Sequence, residues 1–479
     1  METNKVALIV NLGTRDIRFD QAMMKERIGA ELYQEMMMPN QQGRISARNA
    51  GRVLLDVFDK VKDLLEFPIV KPAMDLLINK KGRIDLVICV GTDQQKMDNQ
   101  YYYSDSVHYI ELLRRYISIA YSDKKQVLAF EKRLVTSDVS YLDRMYQLWN
   151  RIIREHPFTE LEEFEHIYFR IQGGIAAINY SLMISGLARF GKKMDFIAVN
   201  ERTEQANTLK ISDQYLDLLE KKRIEAALEN YHYPVVLSLD IESKVREWAQ
   251  LAQARMNFDF QKCQLLLQEF DLDTSSRDQR DDLHLDIQNL LSGKGLLEEL
   301  YINAWIKYLQ GTYVDFIQRF FRIIEELVQR KVLECLGMEE TALRDWGTHI
   351  KAYLADPANK KLAAFFSQYK HQGKELQPSK PSMAVMRAIL EFYQTDFPAF
   401  MEFIKKVYPL AQLRNASIGS HAFEPVSKER IAEVLASQDY SIEDVFGYLD
   451  AYLRPRSNNP FDQINAAIIR IINKEDHHT

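Results

Sequence analysis

Arg414, Asn415 and His421 sit close together in Leu413-Arg-Asn-Ala-Ser-Ile-Gly-Ser-His421. They offer the groups that breaking an RNA phosphodiester without a metal calls for. Arginine is a permanent fork of donors matched to phosphate oxygens, and histidine exchanges a proton near pH 7. The nucleophile is then the RNA's own 2′-hydroxyl, and Asn415 is suited to hydrogen-bond either the histidine or the RNA. If the segment is helical, a spacing of seven residues is nearly two turns, which places Arg414 and His421 on one face about 10 Å apart along the axis. An Arg and a His so spaced are also common surface decoration, and Arg344-Asp-Trp-Gly-Thr-His349 offers a second pair. That second pair follows Leu336-Gly337, which reads as a helix end, and Trp346 and Gly347 suit a packed turn.

A second set of residues suits anion binding. Three short polar loops follow apolar runs: Asn11-Leu-Gly-Thr-Arg-Asp16, Gly91-Thr-Asp-Gln94 and Gln172-Gly-Gly-Ile175. In an open α/β sheet, ligands bind beyond the carboxyl ends of the strands, where backbone N–H groups and helix N-termini favour negative charge. The candidate ligand residues are Asn11, Gly13, Thr14, Arg15, Gly91, Thr92, Asp93, Gln94, Gly173 and Gly174, with Asn179 one turn into the following helix. Each loop alone also reads as a tight strand-to-helix turn that uses glycine for its backbone freedom. There is no GxGxxG after the first strand and no GxxxxGK[ST] in the chain, which argues against a dehydrogenase and a P-loop enzyme.

The elements that must position these groups fall into two kinds. Apolar, β-branched runs at Val6–Asn11, Asp85–Val90, Gln126–Phe130, His166–Ile171 and Asp195–Val199 alternate with amphipathic stretches at Ala47–Leu65, Val107–Ala120, Tyr141–Arg154 and Ala176–Phe190. This is the pattern of a parallel sheet covered on both faces, a Rossmann-like α/β domain. From about residue 210 the pattern predicts helices over Gln214–Glu229, Ile241–Met256, Phe260–Glu269, Gly295–Leu336, Met383–Tyr393 and Phe397–Val407. Phe316, Phe320, Ile323 and Ile324 form an apolar stripe suited to a core or a dimer interface. The polar runs Asp273–Asp282 and His371–Ser382 read as surface loops.

Composition narrows the function classes. The 479 residues carry 62 basic and 68 acidic side chains, a formal net charge of -6, so any nucleic-acid site must be local. Cys89, Cys263 and Cys335 are too few and too scattered for a disulfide framework or a CxxC zinc site, which fits a reducing cytoplasm. No apolar stretch approaches the roughly 20 residues of a membrane helix, and Val6–Val10 reads as a buried strand, not a signal. Met36-Met37-Met38 suits gap-filling core, Tyr101-Tyr102-Tyr103 loop packing or base stacking, and His477-His478 a tail.

Tyr168-Phe-Arg-Ile-Gln-Gly-Gly-Ile-Ala-Ala-Ile-Asn179, followed by a helix and the strand Asp195–Val199, resembles the CARF domain of CRISPR-associated effectors, as does the opening strand with Asn11, Gly13 and Thr14. The resemblance runs from Lys5 to about Ser212. It departs after the paired glycines, where Ile175-Ala176 stand in place of the family's frequent Thr-Pro. Arg414-Asn-x5-His421, with Ser417-Ile418 between and a helix start at Ser427, resembles the R-x4-6-H motif of HEPN ribonucleases, in the form found in CARF-HEPN proteins of type III CRISPR systems, the Csm and Csx type.

The resemblance implies a sensor at 1–205, a helical connecting region at 206–295 and a HEPN domain at 296–479. It implies activation by cyclic tetra- or hexa-adenylate and metal-independent cleavage of single-stranded RNA with no cofactor. It also implies a homodimer that brings two copies of Arg414 and His421 together, and structural Arg–Glu pairing among Arg319, Arg322 and Glu325. Thr14 and Thr92 are the groups to test for ligand cleavage. Two alternatives stay open: a CARF-type regulator whose helical half is a dimerisation or DNA-binding module, and a metal-dependent nuclease, for which no suitable acid and lysine stand out.

Overall fold

The computed structural model describes residues 5–39, 41–94, 101–122, 126–137, 139, 141–270, 274–371, 373–418, 423–453 and 459–474. The chain divides into two compact units, Met1–Glu220 and Lys221–Thr479.

The strands of the first unit are β1 (Val6–Asn11), β2 (Met37–Met38), β3 (Gln41–Ile45), β4 (Ile84–Thr92), β5 (Val127–Val135), β6 (His166–Arg170), β7 (Met194–Asn200) and β8 (Gln205–Leu209). Six of them make one sheet in the order β5-β4-β1-β6-β7-β8. All pairs are parallel except β7 with β8. β1 shows why the core forms as it does. Val6, Leu8 and Val10 pack into one apolar cluster and Ala7 and Ile9 into another, so alternate side chains feed opposite faces.

The first face is covered by the helices Ala47–Asp56, Val70–Lys81 and Val107–Ala120, and the second by Leu142–Ile152 and Ala176–Phe190, through Trp149, Ile178 and Leu182. The α/β half of the predicted fold is therefore present. The strand order reverses direction at β1, between β4 and β6, and that crevice is where a sheet of this kind takes its ligand.

Differences from the sequence expectation have local causes. The run Ala47–Leu65 is three short helices, broken first at Val57. The edge strand β8 escaped notice because Gln-Ala-Asn-Thr-Leu is mostly polar, as suits a strand paired on one side. Met36 is buried in the core while Met37 and Met38 pair with β3.

Among its described residues the second unit is mostly helical, with a short hairpin pairing Lys370–His371 with Lys374–Glu375. One core gathers around the helix Tyr313–Leu336, where Phe316, Phe320, Ile323 and Ile324 are all buried, so the stripe is core. Another joins Val245, Trp248, Leu251, Cys263 and Ile287 to Phe461, Ile464 and Ile468 of the helix Pro460–Lys474. Arg255 ties this bundle together: it donates to Glu299 at 2.7 and 2.6 Å and to Asp286 at 2.6 Å, all three buried.

Two expectations are corrected here. Gly295–Leu336 is two helices, Leu296–Leu309 and Tyr313–Leu336, because Gly311 takes φ +72° and the amides of Gly311 and Thr312 turn back to Tyr308 and Lys307. The polar run Asp273–Asp282 is helical over its described residues, since a helix covers Thr274–Leu291; it is anchored by Leu283, Ile287 and Leu290, and the polar turns before them simply extend it.

Candidate functional site

The catalytic candidate is built on the short helix Leu410–Ala416. Leu410 and Leu413 are buried against the core around Tyr313–Leu336, which leaves the next residue, Arg414, at the helix edge over the same long helix. There its Nη1 donates to Glu325 Oε1 at 3.4 Å, its Nε and Nη2 donate to Asn415 Oδ1 at 3.3 and 3.2 Å, and its guanidinium lies 4.9 Å from the centre of the Phe321 ring. At such partly exposed positions the ion pair and the ring contact are each worth only about 0.5–1 kcal/mol. Their effect is orientation. Arg414 keeps 29% of its side chain exposed, so a fixed guanidinium still faces solvent.

The helix ends at Ala416. Ser417 is extended, its Oγ donates back to the Arg414 carbonyl at 2.8 Å, and Ser417 bridges to Glu424, whose amide donates to the Ala416 carbonyl at 2.8 Å. The expectation that one helix face carries both Arg414 and His421 is thus corrected, since the helix stops short of His421. His421 falls within 419–422, outside the described residues. Further along the chain, Ser427 caps the helix Lys428–Ala436 by accepting from Arg430 N.

The competing pair differs in its surroundings. Arg344 lies in the last turn of a 3-10 helix, Glu340–Asp345, and both it and His349 are exposed, with no hydrogen bond or ion pair to either among the described residues. Trp346 is buried and donates to the Pro378 carbonyl at 2.8 Å, so the motif's interior packs as expected. Glu325, expected only as a pairing residue, is the acid that holds Arg414. Arg319 donates to Asn303 at 2.6 Å instead of finding a carboxylate that close, and Arg322 reaches Glu325 and Glu326.

The three N-terminal loops leave β1, β4 and β6, which are neighbours in the sheet. The first and third interlock. Asn11 is fully buried and donates to Asn179 Oδ1 at 2.8 Å, while Asn179 donates to the Gly173 and Ile171 carbonyls at 2.6 and 3.1 Å. A Cβ on Gly13 would stand 2.5 Å from Gly174 N, so the two loops touch backbone to backbone. Gly173 and Gly174 take φ +79° and +62°, which glycine adopts without strain.

Beneath them Arg170, also fully buried, donates to Asp16 and, at 2.5 Å, to the Asn11 carbonyl, and Asp16 accepts from Gly13 N at 2.7 Å. Burial raises the pKa of the Asp16 carboxyl, against the pull of Arg170 and the Gly13 amide. Thr14 and Arg15 form the exposed tip, with Arg15 3.5 Å from Glu201. The helix that starts at Ala176, directly after the paired glycines and Ile175, has no side-chain cap at Ile175, and a helix N-terminus favours anions.

The middle loop is tied down differently. A Cβ on Gly91 would meet Ile110 at 2.7 Å, and Thr92 and Ser106 exchange amide-to-hydroxyl hydrogen bonds at 3.2 and 3.4 Å. Asp93 takes Arg48 at 2.7 Å, and Gln94 donates twice to buried Asp105, at 2.7 and 3.1 Å, which also holds Arg48 at 2.6 Å. Tyr102 lies 4.1 Å under the Arg48 guanidinium and its carbonyl accepts from Arg48, so this tyrosine serves loop packing. Asn11, Asn179, Thr92 and Gln94 therefore shape the crevice from inside, and Gly13, Thr14, Arg15, Gly173 and Gly174 border it.

Asp16, Arg170, Arg48 and Asp105 were missed by sequence reasoning. The available signal was Arg170 itself, a charge closing an otherwise apolar buried strand, which requires a partner. Among the described residues no group of three or more His, Cys, Asp or Glu side chains is gathered to hold a metal, and no helix is long and apolar enough to cross a membrane.

Comparison with known proteins agrees with this architecture. Residues 287–438 match the family described as the Csm6 HEPN domain, a span that contains both Arg-His pairs. A search of curated proteins finds no match to the chain. Among solved structures the chain is similar to Enterococcus italicus Csm6 bound to cyclic hexa-2′-fluoro-hexa-dAMP, with TM-score 0.53 and 12% identity over 97% of this chain and 99% of that one. The sequence match over 287–438 and the Csm6 fold over nearly the whole length together fit this chain to the CARF-HEPN architecture.

Proposed function

We propose that the protein is a cyclic oligoadenylate-activated endoribonuclease of type III CRISPR defence, cutting single-stranded RNA without a metal. The observation that carries the reading is Arg414, fixed by Glu325, Asn415 and Phe321 yet still facing solvent, within the span that matches a HEPN family. In the proposed reaction the RNA 2′-oxygen attacks the adjacent phosphorus, its proton passes to a base, and the P–O5′ bond breaks with a proton delivered to the leaving oxygen. The products are a 2′,3′-cyclic phosphate and a 5′-hydroxyl. Arg414 neutralises the phosphorane oxygens, His421 moves the proton, and Asn415 holds the guanidinium fork in plane.

The site is completed by a second chain in a C2 homodimer. In support, Ile418 and Phe423, on either side of the His421 segment, are 69% and 89% exposed, apolar surface that a second copy would cover. The crevice over β1 and β6 takes the cyclic tetra- or hexa-adenylate, whose phosphates suit the loop amides and Arg15. The similar Enterococcus italicus Csm6, bound to a cyclic hexanucleotide, supports that ligand class. The test is cleavage of a single-stranded RNA by the wild-type protein and by His421→Ala, with each ring and with chelator present. Cleavage that needs the ring, survives chelator and is lost in the variant is expected; cleavage unchanged in His421→Ala but lost in Arg344→Ala would move the site to the other pair.

A further inference from the structure

The buried ion pair under the sensor loops has no part in the proposed chemistry, yet it occupies the switch point of the sheet. Arg170 closes β6 and Asp16 follows β1 across 154 residues of chain, and both side chains are fully buried. One guanidinium holds the Asp16 carboxylate and the Asn11 carbonyl; that carboxylate in turn holds the Gly13 amide. The second loop is pressed onto the same pair, since a Cβ on Gly173 would lie 2.5 Å from Asp16 Oδ2 and 2.7 Å from Arg170 Nη1. Arg170 Nε finds no partner among the described residues, so the pair is not optimised for hydrogen bonding alone. Two charges taken out of water are costly, and an apolar pair of similar volume would serve stability as well or better. What an apolar pair cannot do is bind a carbonyl of one loop and an amide of the same loop while backing the glycines of the other.

We propose that Arg170 and Asp16 are positioning residues that hold the β1 and β6 loops at one fixed separation, and so set the affinity of the sensor for its anionic ligand. Gly13 N is spent on Asp16, which turns Thr14 and Arg15 outward as the groups left to meet phosphate. The affinity part rests on the sensor reading above; the loop-holding part does not.

The test uses the full-length protein with the paired substitution Asp16→Leu/Arg170→Met, which removes both charges and keeps the volume, beside the single variants Asp16→Asn and Arg170→Lys. Thermal midpoint, amide exchange of residues 11–16 and 172–175 without ligand, and binding of cyclic tetra- and hexa-adenylate are measured for each. The paired variant is expected to regain a midpoint near wild type, while the Gly13 amide exchanges about tenfold faster or more and ring affinity falls by about tenfold or more. Arg170→Lys, which keeps the charge but not the fork, is expected to show the same two losses even if the paired variant does not fold. Slow Gly13 exchange and wild-type affinity in any folded variant lacking the fork would overturn the proposal, because the pair would then only fill space. Failure of the wild-type protein to bind either ring would sink the sensor reading, and the exchange result would still decide whether the pair holds the loops.

Discussion

Glu325 is the residue on which the aim of Arg414 depends. The pair contributes little to stability at this exposure, so Glu325→Gln is expected to leave the melting point unchanged within error. Cleavage at saturating activator should nevertheless fall about tenfold as the guanidinium loses its charged anchor, and an unchanged rate would remove Glu325 from the account. His421→Ala is expected to lower cleavage by about 10²-fold or more, the usual reach of a proton-transfer group, with ring binding intact. Arg344→Ala and His349→Ala should stay within about twofold of wild type, since both side chains are exposed and no hydrogen bond or ion pair holds either among the described residues. At this scale Arg414 and Asn415 were legible because their types and spacing are local. Their partner Glu325 was not, because it lies 89 residues away and only packing of two helices brings it near.

Elements were legible in proportion to how strongly burial marks them. β1 was read to the residue because all six of its positions are buried, a continuous apolar run from Val6 to Val10 closed by the polar Asn11. β8, and the helix hidden in the polar run before Leu283, carry no such mark; their structure is imposed by a neighbouring strand in one case and by an anchored continuation in the other. The same reasoning explains why the end of the Arg414 helix left no mark in the sequence: Ser417 closes it with its own hydroxyl, a competition between side chain and backbone that periodicity does not register. The loop glycines give a test at this scale. A Cβ on Gly174 would overlap the Asn11 amide, at a φ of +62° that already disfavours alanine. Gly29 has a positive φ too, +88°, but open space around it. Both Gly174→Ala and Gly29→Ala should lose about 1 kcal/mol or more by thermal melting, but only Gly174→Ala should weaken ring binding. Equal binding losses would show that general destabilisation, not loop geometry, governs the sensor.

For the whole molecule, the proposed function assigns a sensor crevice to one unit and a ribonuclease half-site to the other, and cleavage then requires two chains. Light scattering should give twice the chain mass, and Ile418→Asp/Phe423→Asp should shift the protein toward monomer and abolish cleavage together; a fully active monomer would rule out the shared site. The two-unit organisation was visible in the sequence as the change from alternating strands to unbroken helical periodicity near residue 210, close to the division after Glu220. Less visible was that the helix Pro460–Lys474 shares a core with the helices of 221–291, since such long-range packing leaves no local pattern. The most direct measurement is cleavage of a single-stranded RNA by the intact protein in chelator, with and without cyclic tetra- or hexa-adenylate. The account predicts cleavage only when one of the rings is present, leaving 2′,3′-cyclic phosphate ends. No cleavage with either ring, or cleavage that chelator abolishes, would contradict it.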